Sequence, residues 1–314
     1  MEWLFACLGL VILLLSGDLL VRGAVNASLR LGVPALIVSL TIVALGTSAP
    51  ELLIAVNAVL DDAPGLALGN VVGSNTANIL LVLGVPAILA RLHTAHCDTR
   101  KSYISMLAVS VGFVVLCFLG PITATDGVIL LLILAVILGD QARQAIAHRR
   151  SAQEEEEVEG ADPDIPWWKI GIFVALGLIG LPLGADILVD SAQVIAKRFG
   201  VSDSVIGLTL VAIGTSLPEL ATTVMAALRR QADVAIGNVI GSNLFNLLAI
   251  IGVASLFGPI PVDPNFLRFD LWVMLGASLI LIPFVFSNSL DLTRRYGTIL
   301  TALYILYILK VVHT

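Results

Sequence analysis

The chain has 314 residues, 58% of them hydrophobic and only 13% charged, with a mean hydropathy of +1.01. A soluble domain carries about a quarter charged residues, so this composition excludes a water-soluble fold and makes lipid the solvent. The net charge of −6 owes much to one acidic run, Glu154–Glu159, and no basic stripe points to nucleic acid.

A membrane-crossing helix needs about 20 mainly apolar residues. The first such stretch, roughly 3–21, begins almost at the N-terminus without a basic n-region. It reads as a retained helix rather than a signal peptide. Further spans are expected at roughly 33–60, 66–89, 102–119 and 125–139. Residues 140–167 then turn basic, acidic and Pro-rich, with almost no apolar pattern, as a solvated connector does. Trp167 and Trp168 stand where an interfacial aromatic belt opens the sixth span. The remaining spans are expected at roughly 168–189, 201–228, 234–257, 269–287 and 297–312. The predicted architecture is an all-α integral membrane protein of ten transmembrane helices. A first five-helix repeat covers 1–139, the linker 140–167 and a second five-helix repeat 168–314.

Thirteen of the seventeen Lys and Arg fall on the linker's side of this layout. The linker is therefore expected in the cytoplasm and both termini outside. Cys7, Cys97 and Cys117 show no CxxC spacing and read as apolar or loop fillers.

The chain repeats itself. ALGTSAPEL at 44–52 returns as AIGTSLPEL at 212–220, and GNVVGSNTAN at 69–78 returns as GNVIGSNLFN at 237–246. Both pairs lie 168 residues apart, and about half of the positions from Ala44 to Val85 match their partners. Asp18 and Asp186 share the offset, as do Gly32 and Gly200. Five spans per half place the second half upside down relative to the first. Inverted repeats are a recurring plan of secondary transporters, with the substrate site near the midplane between the halves.

Glu51 and Glu219 sit inside otherwise apolar spans, where a carboxylate costs about 2.5–3.5 kcal/mol on insertion scales. No Lys or Arg lies inside the core of any span to pair with them. Two such charges at repeat-equivalent positions imply a mobile cation as the counter-charge. Each Glu follows a proline, which leaves the carbonyl of Gly46 or Gly214 without its helical donor. Thr47 and Ser48 precede Glu51 on the same helix face, and Thr215 and Ser216 precede Glu219 likewise. The next helix adds a polar stripe, Asn70, Ser74 and Asn78, repeated as Asn238, Ser242 and Asn246. Asn70 and Asn238 read either as ligands or as helix glue. Gly69-x-x-x-Gly73 and Gly237-x-x-x-Gly241 permit close helix contact.

These candidate ligands are all oxygen; His93, His96, His148 and His313 lie in loops or at the terminus. Oxygen-only sites suit hard cations. Two carboxylates balance one divalent ion, and magnesium's reluctance to dehydrate favours calcium. Sodium can use the same hydroxyls and carbonyls.

The paired motifs GTSAPE…GNVVGSNTAN and GTSLPE…GNVIGSNLFN closely resemble the two alpha-repeats of the sodium/calcium exchanger family, in the cation/calcium antiporter superfamily. The short linker is similar to that of prokaryotic members, which implies a plasma or inner membrane location. The resemblance implies that Glu51 and Glu219 are the central calcium ligands. It implies hydroxyl or carbonyl ligands from Thr47, Ser48, Thr215 and Ser216, and backbone carbonyls for sodium from Ala44 and Ala212. Ser74, Asn78, Ser242 and Asn246 complete the implied set. Calcium and sodium are then the substrates and the bilayer the surroundings, with neither cofactor nor protein partner. The implied mechanism is alternating access, with spans one and six sliding past the rest. Some members, notably the potassium-dependent branch, carry Asp where this chain has Asn246. A proton-coupled calcium antiporter of the same superfamily, and more remotely a passive cation channel, stay open as alternatives. No HExxH or GxSxG motif suggests an enzyme.

Overall fold

The computed structural model describes residues 1–94, 97, 99–151, 165–199, 212–264, 266–287 and 289–312. Gly200, the first part of the expected seventh span and most of the linker, including Glu154–Glu159, lie outside the described residues. The described residues are helical throughout apart from turns and two isolated antiparallel bridges.

The helices are α1 (Glu2–Leu31), α2 (Ala35–Thr47), α3 (Ala49–Leu60), α4 (Pro64–Leu89), α5 (Arg100–Leu119) and α6 (Ala124–Ser151). The second half supplies α7 (Trp167–Arg198), α8 (Ala212–Thr215), α9 (Leu217–Leu228), α10 (Ala232–Phe257), α11 (Phe266–Phe286) and α12 (Arg294–Val312). The 168-residue offset of the motifs carries into these boundaries: α3 and α9 match at both ends, and so do α4 and α10.

Among the described residues, seven helices are long and apolar enough to cross a membrane, and eight if the bent pair α2–α3 is one span. The short apolar α9 and the 19-residue α12, which carries Arg294, Arg295 and Lys310, make up the remaining described candidates. Several helices outrun their apolar stretches. α1 continues to Leu31 and α7 to Arg198, and α6 runs through QARQAIAHRRS into the segment assigned to the linker. Gln, Ala and Arg are strong helix formers, and a continuing helix keeps its backbone hydrogen bonds after leaving hydrocarbon.

Burial follows chemistry. α4 and α10, which carry the Asn and Ser stripes, are buried for most of their length. α5, α6 and α7 turn most of theirs outward, exposing Val115, Phe118, Val136, Leu176 and Ile179 to the lipid. Trp167 and Trp168 are exposed at the start of α7, with Arg30 and Lys169 over their rings.

The long helices α1 and α7 pack antiparallel. Gly9 meets Gly184 and Leu188, whereas Leu20 meets Gly177. A Cβ on Gly9 would stand 2.7 Å from Leu188 N, so the two backbones approach as closely as glycine permits. α10 presses on α2 in the same way: a Cβ on Gly241 would lie 2.6 Å from Leu40 O. The halves also interlock at their loops, where Leu92 pairs with Leu292 and Ile122 with Ile260.

Candidate ion-binding site

The two helix breaks place the carboxylates. α2 and α3 meet at Ser48 with a bend of 44°. Ser48 has φ −87°, ψ 6°, and its repeat partner Ser216 has φ −88°, ψ 4°. Pro50 and Pro218 follow in the first turns of α3 and α9, where a missing N–H costs nothing. Glu51 and Glu219 therefore stand in the first turns of α3 and α9, beside free amide groups and the positive ends of the helix dipoles. Both are 1% exposed, and each lies in the other's electrostatic field. No Lys or Arg forms an ion pair with either among the described residues.

Ser48 does not turn back to Glu51. Its Oγ donates to Glu219 Oε1 of the other half, at 3.1 Å. Thr47 Oγ1 contacts the Ala44 carbonyl at 3.3 Å and Asn238 Oδ1 at 3.4 Å. Thr215 Oγ1 reaches Asn70 Oδ1 at 3.5 Å, the repeat-equivalent bond. Asn238 Nδ2 donates onward to Thr223 Oγ1 at 3.2 Å and to the Glu219 carbonyl at 3.4 Å. Asn70 and Asn238 thus tie the halves together, as helix glue does. The Ala44 carbonyl also accepts the Ser48 N–H at 3.0 Å. Ala212 opens α8 in the equivalent place.

Ser74, Asn78, Ser242 and Asn246 are all buried on α4 and α10. Asn246 begins a π-helical turn, Asn246–Ile250, of a kind frequent at functional sites. Two residues outside the sequence-derived set join them. Asn78 Nδ2 donates to Asn243 Oδ1 and Asn246 Nδ2 to Asn75 Oδ1, both at 3.0 Å. Asn75 and Asn243 lie one position off the polar stripe and face the opposite helix. Their presence in both GSN motifs was the available signal.

Buried polar atoms in proteins normally find partners. Among the described residues, those lacking one include Glu51 Oε2, Ser74 Oγ, Asn78 Oδ1, Ser216 Oγ, Glu219 Oε2, Ser242 Oγ and Asn246 Oδ1. Ser242 Oγ sits beside the Glu219 carboxylate without completing a hydrogen bond. Seven oxygens of the two repeated motifs, two of them from carboxyl groups, thus stand unsatisfied in the interior. Such oxygens fit a hard cation, which takes 6–8 of them when it is calcium. No group of three His, Cys, Asp or Glu side chains suited to a metal occurs among the described residues.

Of the other described aspartates, Asp18, Asp126 and Asp186 lie elsewhere. Asp18 pairs with Arg22 at 3.0 Å and with Arg229, joining α1 to the end of α9. Asp186 is exposed beside Asp190. Asp126 accepts from the Thr123 N–H and hydroxyl at a helix start.

The family described as "Sodium/calcium exchanger protein" matches residues 1–140 and 169–312. Inner membrane protein YrbG of Escherichia coli is 36% identical over 305 residues, spanning 96% of this chain and 93% of that one. Sodium/calcium exchanger MaX1 of Methanosarcina acetivorans is 32% identical over 348 residues, spanning 98% and 97%. The solved structure of the sodium-calcium exchanger NCX_Mj, soaked without sodium or calcium, superposes with a TM-score of 0.83 at 31% identity, covering 99% and 98%.

Proposed function

This chain belongs to the sodium/calcium exchanger protein family, and from that premise we propose that it exchanges calcium for sodium across the membrane by alternating access. The observation that carries the proposal is the set of seven buried, unpartnered oxygens around two carboxylates with no basic partner. An ionised carboxylate in a dry interior is expensive unless paired. A calcium ion neutralises both Glu51 and Glu219, and sodium ions can occupy the same oxygens.

The ligands come from α2, α3 and α4 and from α8, α9 and α10, so both halves build one site. Glu51, Ser74, Asn78, Glu219, Ser242 and Asn246 are all closed off from solvent. An ion in this place leaves only if helices move. The glycine-lined α1–α7 pair is the element assigned to that movement. Its antiparallel packing supports two five-helix repeats of opposite orientation and ten spans in all. The Lys and Arg bias supports a cytoplasmic linker with both termini outside, in a prokaryotic plasma or inner membrane.

Equilibrium binding of radioactive calcium to the purified protein tests the shared site. Sodium should displace calcium competitively at constant pH. Displacement by protons but not by sodium replaces sodium coupling with proton coupling at the same carboxylates.

A further inference from the structure

Behind the two ligand asparagines stand two buried relays in repeat-equivalent places. In one, Asn246 Nδ2 donates to Asn75 Oδ1 at 3.0 Å, and Asn75 Nδ2 reaches Met274 Sδ at 3.9 Å and the Asn243 carbonyl at 3.4 Å. In the other, Asn78 Nδ2 donates to Asn243 Oδ1 at 3.0 Å, and Asn243 Nδ2 reaches Met106 Sδ at 3.7 Å. The pairs 75/243, 78/246 and 106/274 all keep the 168-residue offset. All six side chains are buried.

A thioether sulfur and a backbone carbonyl only accept hydrogen bonds. Each relay therefore ends on an acceptor, which fixes its polarity. Turning Asn75 over would aim its oxygen at Met274 Sδ and at the Asn243 carbonyl. Turning Asn246 over alone would set its oxygen against Asn75 Oδ1. The same holds for Asn243 and Asn78. With each amide nitrogen held from behind, Asn246 Oδ1 and Asn78 Oδ1 are left unpartnered.

We infer that Asn75 and Asn243, backed by Met274 and Met106, are positioning residues that hold Asn246 and Asn78 with oxygen, never NH₂, toward the transported cation. This rests on the ion site proposed above. An amide free to turn would meet the ion with its donor end and remove a ligand. An alanine in place of Asn246 has no amide to orient, so it leaves the relay nothing to hold.

The test is a double-mutant cycle read as calcium affinity of the purified full chain. In the natural background, Asn75→Ala should weaken calcium binding roughly tenfold, as loss of one hydrogen-bonding ligand to a charge does. In an Asn246→Ala background, where no amide is left to orient, the same change should alter it by less than about twofold. A packing role leaves the same cavity in both backgrounds. Equal weakening in the two, or no weakening in the first, overturns the inference. If Asn75→Ala does not fold, the volume-conserving Met106→Leu takes its place, measured with and without Asn78→Ala and read in the same way. Absence of calcium binding by the unaltered chain would instead overturn the ion-site reading itself.

Discussion

Glu219→Gln separates a binding role from a structural one. Gln keeps the shape of Glu219 and an oxygen to accept the Ser48 hydroxyl, now at 3.1 Å from Oε1. It removes one of two buried charges that lie in each other's field and lack a basic partner. In ion-free buffer the substitution should leave stability unchanged or raise it, because a desolvated, repelled charge is gone. With calcium the sign reverses. Removing one partner of a buried charge pair costs about 3–5 kcal/mol, or roughly two to four orders of magnitude in affinity. Calcium at a thousand times the natural dissociation constant stabilises the natural chain by about 4 kcal/mol. The same calcium concentration stabilises a variant that binds a hundredfold more weakly by about 1.4 kcal/mol. The assay is thermal unfolding of the detergent-solubilised protein with and without calcium. A variant that keeps the full calcium-induced rise in melting temperature refutes the ligand role. A variant that already melts far lower without calcium refutes the separation of binding from stability.

Three further outcomes follow from particular residues. In a background lacking Cys7, Cys97 and Cys117, Ser151→Cys and Thr314→Cys should react with an impermeant thiol reagent from opposite sides of the membrane; labelling from one side contradicts the ten-span layout. Gly241→Ala should destabilise the protein by about 1–3 kcal/mol, as overpacking does, because its Cβ would lie 2.6 Å from Leu40 O and from Ala44 Cβ. Gly112→Ala, with nothing within 4 Å of its Cβ, should not lower the melting temperature. Asn246 never ionises, and one calcium balances Glu51 and Glu219, so sodium-driven calcium uptake should proceed with choline replacing potassium on both sides at clamped potential.

Much of the candidate site is legible in the sequence because hydrocarbon makes its chemistry conspicuous. A glutamate after a proline in an apolar stretch has few structural explanations, and its recurrence 168 residues later removes most of them. The breaks at Ser48 and Ser216 follow the same local rule, since a missing N–H acts where it stands. The partners of the hydroxyls were not legible. Ser48 lies three residues from Glu51 but donates to Glu219, a choice made by the docking of the two halves. Asn75 and Asn243 escaped because the stripe was drawn at i, i+4 and i+8; one position off it, a side chain faces another helix. Met106 and Met274 look like ordinary core residues until their sulfurs are seen against amide nitrogens. Helix ends were read too short for a related reason. Hydropathy marks where lipid ends, whereas α1 and α6 stop where their backbone hydrogen bonds do.

Calcium flux into proteoliposomes measures the coupling of calcium to sodium most directly. Vesicles loaded with sodium, diluted into sodium-free medium with radioactive calcium at equal pH and clamped potential, should accumulate calcium above its external concentration. Glu51→Gln and Glu219→Gln vesicles should not. Accumulation driven by an imposed proton gradient and indifferent to sodium would contradict sodium coupling. Calcium that only equilibrates under every gradient would contradict exchange altogether.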